Sequence, residues 1–142
     1  MASGIYNTFK AEIMKGTCNL ASGGDTLKCG LLDNSHAFTA ENDGWADVSA
    51  NEISGTGYTA GGATLSSQAV SVDDTDDEGV FDAADTQWTT STFSAYHAVV
   101  YDDTVTSPAD ILLCSIDFGG VQTVSAGTFT IQWASEGIIN IG

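Results

Sequence analysis

The sequence predicts a mainly β protein with a single domain: an antiparallel β-sandwich of the jelly-roll or immunoglobulin-like kind, with one short helix near the N-terminus. Its 142 residues match the usual size of one domain, and 42% hydrophobic residues suffice for a single core. Sixteen glycines and many Ser, Thr, Asp and Asn residues separate short apolar segments. Long surface helices usually contain much Lys and Glu, but this chain has only three basic residues.

The first element is predicted to be an amphipathic helix over residues 4–15. Ser3 precedes it as the predicted N-cap, and Gly16 follows it as the predicted C-cap. Lys15 lies in the last turn, where the helix dipole favours a cation. Apolar residues recur at four-residue steps along one face of the segment, as a buried helix face requires. They are Ile5, Phe9 and Ile13, with Tyr6 and Met14 beside them.

Further along the chain the apolar pattern changes to a period of two, which indicates strands. Seven or eight short strands are expected. They lie at residues 26–32, 68–73, 79–82, 85–92, 95–101, 111–118, 127–134 and 138–141. Residues 33–63 are the least regular part, and we expect a long structured excursion there with a turn of helix near residues 45–51.

The predicted domain organisation is simple. No shift in composition and no internal repeat divides the chain, so residues 1–142 are expected to form one domain, with residues 1–20 as an N-terminal helical arm and residues 21–142 as the β-sandwich body. The first residues lack the apolar run of a signal peptide, and no stretch approaches the roughly 18 apolar residues of a membrane span. We therefore expect synthesis in a cytoplasm without export by the usual route.

The charge of the chain restricts its partners. Nineteen acidic residues face only three lysines, Lys10, Lys15 and Lys28, so the formal net charge is −16. Such a surface repels phosphate backbones and anionic lipids, and it lacks the cations that phosphoryl-transfer sites use. We expect no nucleic-acid partner and no membrane partner.

The three cysteines predict no cross-link. Cys18, Cys29 and Cys114 are an odd number without close spacing, which is typical of reduced, buried side chains in a cytoplasmic protein. A bridge between Cys18 and Cys29 is compatible with their spacing, but no other feature of the sequence favours it.

The acidic run at residues 73–78 is the best candidate for chemistry. Asp74, Asp76 and Glu78, followed by Gly79, match the first half of a calcium-binding loop, and Asp85 falls at its twelfth position. The flanking segments are predicted strands rather than helices, and the twelfth position normally holds Glu. A solvated hairpin tip is therefore the favoured interpretation, and we assign no metal ligand and no cofactor.

Other motifs also favour structural roles. The glycine-rich segment 55–62 lacks the Lys and the spacing of a phosphate-binding loop, so we expect a packed loop held by Tyr58. His36 and His97 show no metal-ligand spacing, and His97 is expected to be a polar cross-strand residue. No nucleophile-elbow motif occurs. We assign no catalytic residue and expect the protein not to be an enzyme.

The three tryptophans allow two interpretations. Together with nearby Tyr and Phe side chains, Trp45, Trp88 and Trp133 could form a surface on which sugars stack. Trp133, however, alternates with Thr and Gln in a predicted strand, so we favour a position in the core of the sandwich.

Several strings resemble a family of small structural proteins of tailed bacteriophages. The likeness covers nearly the whole chain, and its most specific part is N-E-I-S-G-T-G-Y-T-A-G-G-A-T-L at residues 51–65. The other matching parts are residues 6–10, 15–17, 26–32, 95–101, 127–133 and 137–139. Members of the family usually carry more lysine in the strands than this chain does.

The resemblance implies a virion protein without catalytic residues. Within the virion we expect a capsid decoration (cement) protein on the capsid surface, made in the cytoplasm of a bacterial host and bound to the major capsid protein. The N-terminal segment, with two of the three lysines, is the expected docking arm. We also expect a homo-oligomer, specifically a trimer.

Two alternatives stay open. A tail or neck component of the phage would be present in six or twelve copies per particle, whereas a decoration protein would be present in hundreds. A calcium-dependent glycan-binding sandwich would use the acidic loop and exposed tryptophans, and a chelator would abolish its binding.

Overall fold

The computed structural model describes residues 3–142 and shows a β-sandwich with one helix, which confirms the predicted fold class. In the described part of the chain, no helix is long and apolar enough to cross a membrane. The elements in chain order are β1 (Gly4–Ile5), α1 (Asn7–Lys15), β2 (Leu27–Leu32), β3 (Ala63–Thr64), β4 (Ala69–Asp73), β5 (Glu78–Asp82), β6 (Thr86–Asp102), β7 (Leu112–Ile131) and β8 (Ile139–Ile141).

The strands form two antiparallel sheets. The larger has five strands in the order β1-β7-β6-β2-β3, and the smaller has three in the order β4-β5-β8. Leu27, Cys29 and Leu31 of β2 belong to the main core, which also contains Phe81 of β5 and Ile139 of β8. The main core therefore lies between the two sheets.

The large sheet is buried on both faces in its central part, at β2 and at residues 98–102 and 112–116. On the face away from the small sheet, Leu32, Val99 and Tyr101 pack beneath Val48 and Trp45 of the excursion. The Trp45 ring stacks on Tyr101 with ring centroids 4.6 Å apart. Burial on both faces explains why residues 98–101 and 111–114 are continuously apolar, whereas residues 86–95 of β6 alternate between buried and exposed.

The excursion over residues 33–63 has the local structure that was expected. Two short 3-10 turns, Trp45–Asp47 and Ser49–Asn51, occupy the region where a turn of helix was predicted. The predicted strands at residues 26–32, 68–73, 79–82 and 138–141 correspond to β2, β4, β5 and β8.

Four of the predicted strands are in fact two long ones. Strand β6 has 17 residues and joins the predicted segments 85–92 and 95–101, while β7 has 20 residues and joins 111–118 and 127–134. The joining parts, residues 93–94 and 119–126, lie beside register shifts between Ser91 and Phe93 and between Ala95 and His97, with positive φ at Gly119 and Ala126. Bulges of this kind interrupt the apolar alternation without ending the strand.

The helix begins later than predicted. Gly4 and Ile5 pair with Ser115 and Cys114 of β7, so these residues are a strand rather than the first helical turn. Ser3 is therefore not the N-cap, and its hydroxyl oxygen instead accepts a hydrogen bond from the Asp117 N–H. The predicted C-cap is confirmed, because Gly16 adopts a left-handed conformation with φ of 77°.

The described part of the N-terminal segment is packed into the body. Tyr6 and Phe9 are fully buried, and Phe9 belongs to the main core. All three cysteines are buried and free, as the sequence predicted, and Cys18 and Cys29 form no bridge. Residues 3–20 thus pack as part of the sandwich rather than as a detached arm.

Candidate functional site

The acidic run forms the turn between β4 and β5. An Asp73 carboxylate oxygen accepts hydrogen bonds from the backbone N–H groups of Thr75 and Asp76, at 2.8 and 3.3 Å. Carboxylate oxygens of Asp73, Asp76 and Glu78 lie within 4.8 Å of one another. The geometry is that of a hairpin tip held by a side chain that accepts backbone hydrogen bonds.

Of the four candidate calcium ligands, only Asp76 and Glu78 come together. Asp74 is not part of the carboxylate cluster at the tip, and its place there is taken by Asp73. Asp85 belongs to another part of the molecule, where it accepts a hydrogen bond of 3.0 Å from the Trp133 N–H. The spacing of a calcium loop is thus present in the sequence without its arrangement in space.

A buried polar cluster lies near the start of β7. The rings of His36 and His97 meet edge to face with centroids 5.1 Å apart, and His36 Nε2 is 3.2 Å from the Ser115 hydroxyl oxygen. His97 lies opposite Asp117, with 3.8 Å between its Nδ1 and a carboxylate oxygen, so the predicted cross-strand position is confirmed. Burial, and then the neighbouring His97, lower the pKa of His36.

Ser115 and His36 are residue types that can act as nucleophile and base, but both side chains are buried in the protein core. Ser115 and His36 are only 2% and 5% exposed, so substrate has no access to the hydroxyl. We interpret the pair as a polar tie between the excursion and β7. Sequence reasoning missed it because the histidines are far apart in the chain and meet only through the fold.

A second buried polar group surrounds Asp102 at the end of β6. One of its carboxylate oxygens accepts hydrogen bonds from the Thr104 and Val105 N–H groups, at 2.9 and 3.3 Å. Burial, and then the adjacent carboxyl of Asp25, raise the pKa of Asp102 to about 6. Cys18 lies beside this pair, and burial raises the pKa of its thiol to about 12. Such a thiol is protonated at neutral pH and is a poor nucleophile.

The glycine-rich loop, together with Glu52, packs against β2 and, within the described residues, shows no ligand site. We call residues 52–62 the strap. The Tyr58 hydroxyl donates to a Glu52 carboxylate oxygen at 2.7 Å and accepts from the Leu31 N–H at 3.0 Å. The same Glu52 oxygen accepts from the Gly61 N–H at 2.6 Å. A Cβ at Gly62 would lie 2.0 Å from the Cys29 carbonyl oxygen, so only glycine fits there. The structure confirms Tyr58 as the packed residue of the loop and adds Glu52, which the sequence analysis did not single out.

The tryptophans do not make a sugar-stacking surface. Trp88 and Trp133 are buried, and Trp133 belongs to the core as expected. The Trp133 Nε1–H donates to the Ala84 carbonyl oxygen at 3.1 Å. Trp45 presents one ring face to Tyr101. The three tryptophan side chains therefore pack against other parts of the protein.

Several exposed apolar side chains lie together where α1 meets the small sheet. We call this surface the helix–sheet face, and it consists of Ile13, Met14, Val70, Val72 and Ile141. Met14 is 81% exposed and Val72 is 76% exposed. Grooves connect these side chains, since Ile141 borders one groove with Met14, one with Val70 and one with Val72.

Positively and negatively charged residues both border the helix–sheet face. Lys10 borders the groove that contains Met14, and the acidic hairpin tip borders the groove that contains Val72. Lys15, at the end of α1, forms an ion pair of 2.7 Å with Glu12, yet its side chain remains 65% exposed. Apolar side chains inside a polar border are the usual anatomy of a protein–protein interface.

No family model, no curated protein and no solved structure matches this chain. The assignment of a site therefore rests on the geometry and on the sequence patterns described above.

Proposed function

We propose that the chain is a virion structural protein of a tailed bacteriophage, namely a capsid decoration protein that binds the major capsid protein through the helix–sheet face. The observation that carries the proposal is the concentration of exposed apolar side chains at this face. Among residues 3–142, six large hydrophobic residues are exposed, and four of them lie in the helix–sheet face. Those four are Met14, Val70, Val72 and Ile141.

The position of the phage-like strings supports a structural role. Their most specific part, residues 51–65, contains the strap in which Glu52 and Tyr58 hold the loop to β2. Gly62 is required there by close contact with the backbone of Cys29. Hydrogen bonds and close backbone contacts of this kind maintain the fold. They give no indication of a reaction with a substrate.

The charge distribution supports a basic or mixed partner surface. The net charge of −16 favours a partner that presents basic residues, and it disfavours contact with packaged DNA. At the helix–sheet face, Lys10 and Lys15 on one side and the acidic tip on the other would fix the orientation of docking. The two lysines of the N-terminal segment thus remain part of the proposed docking surface, although the segment is packed into the body.

Binding to capsids that lack the chain tests this proposal. The variant Met14→Glu places a charge among the apolar side chains of the face, and we expect at least a tenfold loss of affinity because a buried unpaired charge is costly at an interface. The control is Gln87→Glu. Gln87 is an exposed residue of β6, so this variant adds the same charge away from the face and should bind as the unaltered protein does. Equal binding by both variants would contradict docking through this face.

The number of copies per particle distinguishes a capsid decoration protein from the alternative, a tail or neck component. We expect hundreds of copies per particle when the chain is quantified against the major capsid protein. Six or twelve copies would instead favour a neck or tail position for the same fold.

A further inference from the structure

Among the residues that the structure describes, 3–142, the outer edge of β7 is unpaired over most of its length. Strand β1 pairs with β7 only at Cys114 and Ser115, and the Asp117 N–H is bonded to the Ser3 hydroxyl. Beyond Asp117, within the described residues, β7 pairs with β6 alone, and regular pairing resumes at Gln122 after the irregular residues 118–121. A free edge presents a row of backbone donors and acceptors that can bind a further strand.

The opposite edge of the same hairpin is covered over part of its length, because β2 pairs with residues 97–102 of β6 and the glycine-rich loop lies against Ser91 and Thr92. The Thr92 N–H of β6 donates to the Thr56 carbonyl oxygen at 3.0 Å. Gly57 of the strap lies so close that a Cβ on it would be 2.3 Å from the Ser91 hydroxyl oxygen. The remaining edge strands are short, and β4 leads into the acidic tip. Only the β7 edge is both long and open among the described strands.

This open edge carries none of the charges that normally protect an edge strand. Residues 86–101 and residues 118–135 contain no Asp, Glu, Lys or Arg, although the chain has nineteen acidic residues. Natural edge strands are commonly protected by Lys, by Pro or by inward-pointing charges. Two copies that each carry a net charge of −16 repel each other over most of their surface. The uncharged hairpin is where they can approach most closely.

A groove of about 440 Å³ runs beside the open edge. Phe118 and Phe129 line it, with ring centroids 6.1 Å apart, and Asp117 is its only charged residue. Val121, on the adjoining part of β7, is 50% exposed. The edge therefore combines unpaired backbone groups with apolar side chains that a second strand could cover.

We infer that this edge of β7 is a self-association surface, where a segment within residues 120–125 of one copy pairs antiparallel with the same segment of a second copy. Positive φ angles mark both ends of this part of β7, at Gly119 and Gly120 (+76° and +158°) and at Ala126 (+48°). Like edges that pair antiparallel are related by a two-fold axis, so the product is a dimer rather than the trimer expected above. The inference concerns association of the chain with itself and is independent of the capsid role.

Measurement of the mass in solution tests the inference on the full chain. Sedimentation equilibrium should give twice the mass of the chain at high protein concentration. Higher salt should tighten the dimer, since screening weakens the repulsion between the acidic bodies while the neutral contact is unaffected. An interface formed by opposite charges would show the reverse dependence.

Two matched variants locate the interface. Val121→Glu should weaken association at least tenfold, because the two-fold axis brings the two new charges together. Val72→Glu makes the same change at an exposed valine of the helix–sheet face and should leave the dimer intact. Loss of the dimer in Val72→Glu but not in Val121→Glu would overturn the inference.

Hydrogen exchange gives an independent readout. Backbone amides within residues 120–125 that face the open edge should be protected at concentrations where the dimer forms, and they should exchange quickly in Val121→Glu. A monomer at every concentration, a trimer, or a dimer whose 120–125 amides remain unprotected would each overturn the inference. A strand of another protein on the β7 edge, with the chain itself monomeric, would overturn it as well.

Discussion

At the scale of single residues, Asp102 shows how the fold changes the ionisation of a carboxyl group. Its side chain is fully buried, and one oxygen has no hydrogen-bond donor among the described residues. Burial, followed by the neighbouring Asp25, raises the pKa of Asp102 to about 6. The folded protein therefore binds this proton more tightly than the unfolded chain does, and stability falls as the pH rises through the interval between about 4 and about 6.

The variant Asp102→Asn tests this assignment. Its side-chain oxygen can still accept the backbone N–H groups of Thr104 and Val105, and its amide can donate to Asp25. Because a shift of about two pKa units corresponds to about 3 kcal/mol, we expect the variant to be more stable than the unaltered protein by about 1–3 kcal/mol at pH 7 and equal to it near pH 4. Urea unfolding across this pH range measures the difference.

The control for this prediction is Asp103→Asn. Asp103 is the exposed neighbour that pairs with Lys28 at 3.2 Å, and loss of a surface pair changes stability by less than about 1 kcal/mol. His36 acts in the opposite direction, because its lowered pKa makes stability fall as the pH drops below about 6.5. That contribution is common to every variant and cancels in the differences. A variant Asp102→Asn that is less stable at pH 7 would contradict the account.

At the scale of elements, the N-terminal segment is where the structure most changes the expectation. A chain without residues 1–15 would be a folded β domain if those residues were only a docking arm. The structure instead places Tyr6 and Phe9 in the core and pairs β1 with β7. Loss of a buried phenylalanine side chain alone costs about 3–5 kcal/mol, which is a large part of the total stability of a domain of this size.

We therefore predict that the chain lacking residues 1–15 does not fold. Its circular dichroism spectrum should lack the strand signal, and it should show no cooperative thermal transition. The variant Phe9→Ala provides a graded comparison, and we expect it to lower the free energy of unfolding by about 3–5 kcal/mol. Cooperative unfolding of the truncated chain would contradict the packing described above.

Elements with strong local patterns were predictable from the sequence. The period of two located β2, β4, β5 and β8, and Gly16 marked the end of α1 through its need for a left-handed conformation. The long strands were not recognised, because register shifts between Ser91 and Phe93 and between Ala95 and His97 interrupt the alternation where the predicted segments meet. Strand order could not be read from local pattern at all, since it depends on contacts between distant segments.

The same limit applied to the candidate sites. The sequence favoured a hairpin tip for the acidic run and a packed loop for residues 55–62, and the structure has both. The meeting of His36 with His97 and the proximity of Asp25 to Asp102 have no local signal. The helix–sheet face was also missed, because its members come from three elements that are far apart in sequence.

At the scale of the whole molecule, charge is distributed unevenly. The hairpin of β6 and β7 contains long uncharged stretches, the acidic tip lies at the end of the small sheet, and two of the three lysines lie on α1. Two surfaces result: the helix–sheet face, which suits a partner of another kind, and the open β7 edge, which suits a second copy. Met14→Glu and Val121→Glu should therefore have separate effects, the first on capsid binding and the second on self-association.

Electron microscopy of intact particles of the proposed phage tests the central proposal most directly. The account predicts density for the chain at repeated positions over the outer surface of the capsid, with the helix–sheet face against the capsomers. Density confined to the portal vertex would contradict it.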